Sequence, residues 1–303
     1  MRSSWLSSGA SLGTRRLSRR VGRYWTDHTV RAKSFQGPEE SEAYLEWRFA
    51  QYPLFREFSG LWGDHGGEVV VDYGCGPGND VVGLLLQSGA TKVIGMDVSA
   101  TSLRLAAERV ELHDIPASRF ELVKISEGST RLPLANESVD HVNCQGVLHH
   151  VSDPARVLGE FARVLRPTGR AVVMVYNRDS IWFHVYTAYI RMIVERAFAG
   201  ASVEQAFQAN TDGAECPISR AYPPAEFLAL CRAAGFAATY SGGYFHKKEP
   251  VWLREHGEAA LASTELAEEH KRFIRELTWD RSDMPLFGGK HCGIGGVYHL
   301  RPL

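Results

Sequence analysis

The chain has 303 residues, 44% of them apolar, with 34 basic against 35 acidic side chains and a net charge of −1. That length can bury a sizeable core, a charged fraction of 23% is that of a globular protein rather than a disordered one, and the balance gives no general attraction to a nucleic-acid backbone. Cys75, Cys144, Cys216, Cys231 and Cys292 are odd in number and scattered, without a C-x-x-C pair, so no disulfide framework or metal site is expected and a reducing, cytoplasmic setting fits.

The charge is unevenly placed. Residues 1–23 hold Arg2, Arg15, Arg16, Arg19, Arg20 and Arg23 and no acid, leaving 28 basic against 35 acidic residues, or −7, in the remainder. The Arg- and Ser-rich start resembles an organelle-targeting segment, the alternative to a cytoplasmic location. The simpler expectation is a flexible basic arm over residues 1–38, because its apolar periodicity is weak. No run of about 18 apolar residues occurs, the length needed to span a bilayer. Residues 181–194 come nearest but are short and carry His184 and Arg191, so a lid helix is expected there and no stable membrane insertion.

Residues 39–62 read as helical, with Tyr44, Trp47, Tyr52, Phe55 and Phe58 near helical spacing and Pro53 expected to divide the run. Strands are then predicted at 68–72, 92–97, 120–125, 139–144 and 170–176. Helices are predicted at 80–88, 99–112 and 154–165. Such alternation predicts a parallel sheet with helices on both faces. Beyond it come an aromatic-rich helical insertion at 178–215, a helix at 224–234 closed by Gly235, a strand at 236–244, a charged helical stretch at 249–280 and a last strand at 293–300. One domain over residues 39–303 is expected, with a cofactor-binding core at 68–178 and substrate-lid insertions at 179–222 and 247–285.

The segment Val69-Val-Val-Asp72-Tyr-Gly74-Cys-Gly76-Pro-Gly78 ends a strand on an acid and enters a helix through a glycine loop. Such glycines let a ligand approach the backbone, and helix-starting amides face it. The loop lacks the lysine of a phosphate loop. D-x-G-C-G-P-G resembles motif I of the class I S-adenosylmethionine-dependent methyltransferases. Ile94-Gly-Met-Asp97-Val-Ser, Leu132 to Asp140, Gly146-Val-Leu-His-His150 and Phe161 to Arg170 resemble the next signatures in order. The resemblance implies a Rossmann-like, doubly wound α/β fold with a seven-stranded, mostly parallel sheet and helical lids. It also implies S-adenosylmethionine as cofactor. Asp72 is then expected to attract its ammonium, and the backbone of Gly74, Gly76 and Gly78 to pack on its methionine part. Asp97 is expected to accept from the ribose diol, with Val98 and Gln145 nearby. The family often places an acid after the third strand for the adenine amino group. Here Gly128 aligns there, with Glu127 beside it, so either Glu127 or backbone groups take the role.

Ligands of open α/β sheets sit at the carboxyl ends of the strands. That places His149, His150 and Tyr176 near the reaction, with the two histidines either candidate bases or braces of their loop. Trp182, His184, Tyr186, Arg220 and Tyr222 in the lid are candidates for holding the substrate. The expected activity is methyl transfer to an oxygen, nitrogen or carbon of a small molecule, such as a sugar-containing natural product. Alternatives are a quinone- or lipid-type acceptor and a silent methyltransferase fold acting as a binding subunit. A nicotinamide dehydrogenase is disfavoured by the loop spelling, and arsenite by the lack of converging cysteines. Nucleic-acid methylation is disfavoured by the acidic body and the missing D/N-P-P-Y/F motif.

Overall fold

The computed structural model describes residues 12–30, 32–126 and 131–303. Its strands in chain order are β1 (Val69–Tyr73), β2 (Lys92–Asp97), β3 (Phe120–Lys124), β4 (Val139–Gln145), β5 (Leu165–Tyr176), β6 (Phe236–Tyr244), β7 (Thr278–Trp279), β8 (Pro285–Phe287), β9 (Lys290–His291) and β10 (Gly295–Pro302). Seven form one sheet in the order β3-β2-β1-β4-β5-β10-β6. The pairs from β3 through β5 are parallel, and β10 runs antiparallel to both β5 and β6. This is the expected mostly parallel, doubly wound α/β sheet. Sequence reading missed the small sheet of β7, β8 and β9, whose strands are only two or three residues long.

Side-chain alternation explains why helices cover both faces. Val71, Tyr73, Val142 and Cys144 point into one core with Phe161 and Phe227, while Val70, Val93, Val172 and Met174 point into the other with Leu45, Phe55 and Trp62. The helices are α1 (Leu12–Asp27), α2 (Pro38–Gln51), α3 (Phe55–Ser59), α4 (Asn79–Gln87), α5 (Ala100–Glu111), α6 (Pro154–Val164), α7 (Val203–Thr211), α8 (Pro224–Ala233), α9 (Glu249–Ala262) and α10 (Glu268–Arg275). Pro53 and the left-handed Leu54 (φ 68°) separate α2 from α3, as the sequence predicts. The insertion after β5 forms a π-helix over Trp182–Val194, closed by Glu195 N–H donating to Ile190 C=O at 2.9 Å. α7 follows, with a capping box made by Ser202 and Gln205.

The expectation of a flexible arm is corrected over residues 12–27, which form α1. Its helix is held by tertiary contacts. Ser18 Oγ lies 2.7 Å from Ser152 Oγ, Tyr24 OH donates to the Asp212 carbonyl, and Trp25 packs on His150 with ring centroids 4.6 Å apart. Residues 1–11 lie outside the described residues. Among the described residues no helix is long and apolar enough to cross a membrane.

Candidate active site

A cavity of about 690 Å³ opens at the carboxyl ends of β1, β2, β4 and β5. The loop after β1 forms its floor. Gly74 and Cys75 donate backbone N–H bonds to Met96 C=O at 2.7 and 3.0 Å, which folds the loop against β2. Gly74, Gly76 and Gly78 have φ of +75°, +52° and +81°, a region that favours glycine. A Cβ on Gly74 would collide with Val147, and one on Gly78 would sit 2.9 Å from Ala106 of α5. Gly76 is different: a Cβ there would project into open space within the cavity lining.

Asp97 ends β2 beside this loop. Its Oδ2 accepts from Gly76 N–H at 2.9 Å and its Oδ1 from Ser99 N–H at 2.7 Å. Burial pushes its carboxyl up from the ordinary value, and these N–H bonds oppose the shift. Ser99, not Asp97, caps α5, by accepting from Ser102 N–H at 3.1 Å. Asp97 therefore keeps lone pairs on a cavity wall shared with Val98 and Ile125. Glu127 lies outside the described residues.

Asp72 stands behind the wall rather than in it. Its Oδ1 accepts from Asn143 Nδ2 at 2.8 Å, and Asn143 Oδ1 accepts from Gln145 Nε2 at 2.9 Å. Asp72 Oδ2 and Gln145 Oε1 are buried acceptors without a partner among the described residues. Burial first, then nearby Asp80, raises the Asp72 carboxyl well above its usual range. Asp80 and Arg48 form a buried ion pair on the cavity wall. Arg48 was not singled out in the sequence, where it sits beside Trp47 of a helical aromatic stripe. Nothing local distinguishes a helix position facing a cleft from one facing a core.

The far half of the cavity is aromatic and acidic. His150 lines it, with Nδ1 2.8 Å from Ile218 C=O and Nε2 3.6 Å from Asp212 Oδ1. Tyr176 OH donates to Asp212 Oδ1 at 2.9 Å, and Asp212 Oδ2 accepts from Thr211 and Ser219 hydroxyls at 2.7 and 2.6 Å. Burial lowers the pKa of His150, opposed by Asp212. Trp182 also lines the cavity, and its indole N–H is buried without a partner among the described residues.

Other predicted residues sit elsewhere. His149 is buried behind Tyr176, stacked at 3.9 Å, and its Nδ1 accepts from Tyr176 N–H at 3.3 Å, the geometry of a brace. His184 pairs with His270, Nδ1 to Nδ1 at 2.8 Å, inside the lid. Tyr186 stacks on Trp252 at 3.9 Å. Arg220 donates to Val151 C=O at 3.0 Å, and Tyr222 packs on Phe227, so both leave the main cavity. Tyr24, Trp25 and Tyr244 line it and were missed. The first two belong to the supposed arm. All five cysteines are buried and free, and no cluster of metal ligands occurs among the described residues.

The cleft fits the expected cofactor. Orphaned acceptors at Asp72 and Gln145 suit an ammonium, the open cradle at Gly76 suits a group against the backbone, and Asp97 suits a diol. A family model described as a methyltransferase domain matches residues 71–173. A protein of Streptomyces fradiae, described as an uncharacterized 37.1 kDa protein in transposon TN4556, is 39% identical over 137 residues, covering 43% of this chain and 38% of that protein. The chain thus spans about two fifths of that relative's length. The ubiquinone biosynthesis O-methyltransferase of Neisseria meningitidis serogroup C is 25% identical over 195 residues, covering 64% and 74%. The fold matches geranyl diphosphate C-methyltransferase from Streptomyces coelicolor A3(2), solved with S-adenosyl-L-homocysteine, at a TM-score of 0.55 and 16% identity, over 98% and 100% of the two chains. Residues 71–173 are therefore a methyltransferase domain by this match, and the sheet order and glycine loop give the chain the fold of the class I S-adenosylmethionine-dependent methyltransferases.

Proposed function

We propose that the chain methylates a hydroxyl oxygen on a small molecule with an apolar or aromatic body. The carrying observation is His150, placed with its Nε2 near Asp212 in the aromatic half of the cavity that holds the glycine loop at its other end. Asp97 is assigned to the ribose hydroxyls, and Val98 and Ile125 to the adenine. The loop from Gly74 to Gly78 takes the methionine part. Gln145, backed by Asn143 and Asp72, takes the ammonium, and Arg48 the carboxylate.

When bound, S-adenosylmethionine supplies a methyl group made electrophilic by its sulfonium. The rest falls to positioning, exclusion of water and proton removal. His150 Nδ1–H donates to Ile218 C=O, which leaves Nε2 as the basic nitrogen. Burial holds the ring neutral, ready to accept a proton from an acceptor hydroxyl. Asp212 at 3.6 Å then faces the imidazolium and stabilises it. Tyr176, Trp25 and Trp182 wall off the acceptor.

Of the polar lid residues Asp212, Glu215, Arg220 and Tyr222, which suit a sugar, only Asp212 lines the main cavity, and the aromatic walls around it favour the apolar-bodied acceptor. The name of one relative, ubiquinone biosynthesis O-methyltransferase, agrees with this reading. Incubating the chain with methyl-labelled S-adenosylmethionine and an organic-solvent metabolite extract tests it. Label is expected in an extractable, base-stable ether, and label found only in polar amines or sugars contradicts it.

A further inference from the structure

α1 has two chemically opposite faces. Val21, Tyr24 and Trp25 point inward and line the acceptor half of the cavity. Arg16, Arg19, Arg20 and Arg23 recur at i, i+3, i+4 and i+7, which puts them on one face, and all four are exposed. The stripe is about 10 Å long at helical rise. Among the described residues none of the four makes an ion pair or a hydrogen bond, and the only acid in α1 is Asp27 at its end. Burying the aromatic face explains why the helix forms against the cleft. It does not explain four like charges on the other face, which repel one another without a counter-charge.

We infer that the outer face of α1 docks this protein onto a membrane surface bearing anionic phospholipid headgroups, beside the mouth of its cavity. A stable protein partner would need an apolar or aromatic anchor at the centre of the contact, and the centre of this face holds arginines, with Asp27 at its end. A nucleic-acid duplex is met over several neighbouring phosphates, and a body that carries −7 outside residues 1–23 repels it beyond the stripe. A planar anionic leaflet requires only local positive charge, which juxtamembrane arginines supply additively. Val30, 56% exposed, lines the cavity rim just beyond α1. The inference gains its purpose from the acceptor reading above: an acceptor with an apolar body concentrates in the bilayer and enters from the face that α1 presents.

The test is co-sedimentation of the full chain with vesicles of phosphatidylcholine alone or of phosphatidylcholine with phosphatidylserine, together with a duplex DNA binding control. Partitioning onto the anionic vesicles is expected to exceed that onto neutral ones by about tenfold or more and to fall steeply with salt. An R16Q/R19Q/R20Q/R23Q variant is expected to lose that preference while keeping its S-adenosylmethionine affinity, which shows that the fold is intact. Should the quadruple variant fail to fold, Arg19→Gln with Arg23→Gln provides the same comparison. Equal partitioning onto both vesicle types, a preference that survives loss of the arginines, or tighter binding to the duplex than to the vesicles overturns the inference. None of these readouts depends on methyl transfer, so the docking surface and the acceptor reading fail separately.

Discussion

His150 and Asp212 face each other at 3.6 Å, from Nε2 to Oδ1, in the half of the cavity away from the glycine loop. They come from opposite ends of the design: His150 follows β4, and Asp212 caps the end of the α7 insertion. The distance exceeds a direct hydrogen bond and leaves room for a hydroxyl to contact both. His150→Ala is therefore expected to cut methyl transfer by about 100-fold or more while leaving cofactor affinity within a few-fold. Single-turnover rates and calorimetry on the same variant check both halves of that statement.

His149 gives the contrasting outcome. Its ring is sealed under Tyr176 and its Nδ1 holds a backbone N–H, so His149→Ala leaves a cavity and an unpaired donor. A stability loss of about 2–4 kcal/mol is expected, measured by denaturant unfolding, with turnover and cofactor binding falling together.

Two glycines of one loop are expected to respond differently. Gly74→Ala drives a Cβ into Val147 and destabilises the fold. Gly76→Ala meets no protein atom, costs about 1 kcal/mol for its positive φ, and acts mainly by filling the cofactor cradle. Thermal melts with and without cofactor separate the two: Gly74→Ala melts low in both, whereas Gly76→Ala keeps most of its stability and loses the cofactor-induced shift.

Glu249 tests how the lid is tied to the sheet. Its carboxyl oxygens accept from the N–H groups of Trp182, His246 and Ile294 at 3.1, 2.8 and 3.1 Å, pinning three chain segments together, two of them through cavity residues. Burial raises its pKa to about 8, against the pull of those N–H bonds. The folded state thus holds a proton that the unfolded state releases above about pH 4.5, and this contribution to stability declines as pH rises from there to about 8. Comparing the native chain with Glu249→Gln, the difference in stability is expected to shrink by at most about 1.4 kcal/mol per pH unit in that window. A difference that stays flat across the window contradicts the assignment.

The cofactor half was legible in the sequence because its signals are local. Valines run through β1, an acid ends the strand, and glycines occupy left-handed positions in the order of the chain. The acceptor half was not, because tertiary packing decides which lid side chains face inward. Trp182 reaches the cavity, whereas Tyr186, one turn on, stacks on Trp252, and His184 turns to His270. α1 carried a weak but real signal. Leu17, Val21, Tyr24, Trp25 and His28 share one face, but the arginines between them swamp the periodicity in any average over the segment. Arg48 was illegible for another reason: its meaning rests on Asp80 and the glycine loop, both far along the chain.

Asp97 carries the account's central claim, that this cleft binds S-adenosylmethionine through its ribose. Isothermal titration of the cofactor into the native chain and into Asp97→Ala tests it most directly. Saturable one-site binding is expected, weakened in the variant by about 1.5–3 kcal/mol, roughly 10- to 100-fold. No binding to the native chain, or equal affinity for both proteins, would contradict it.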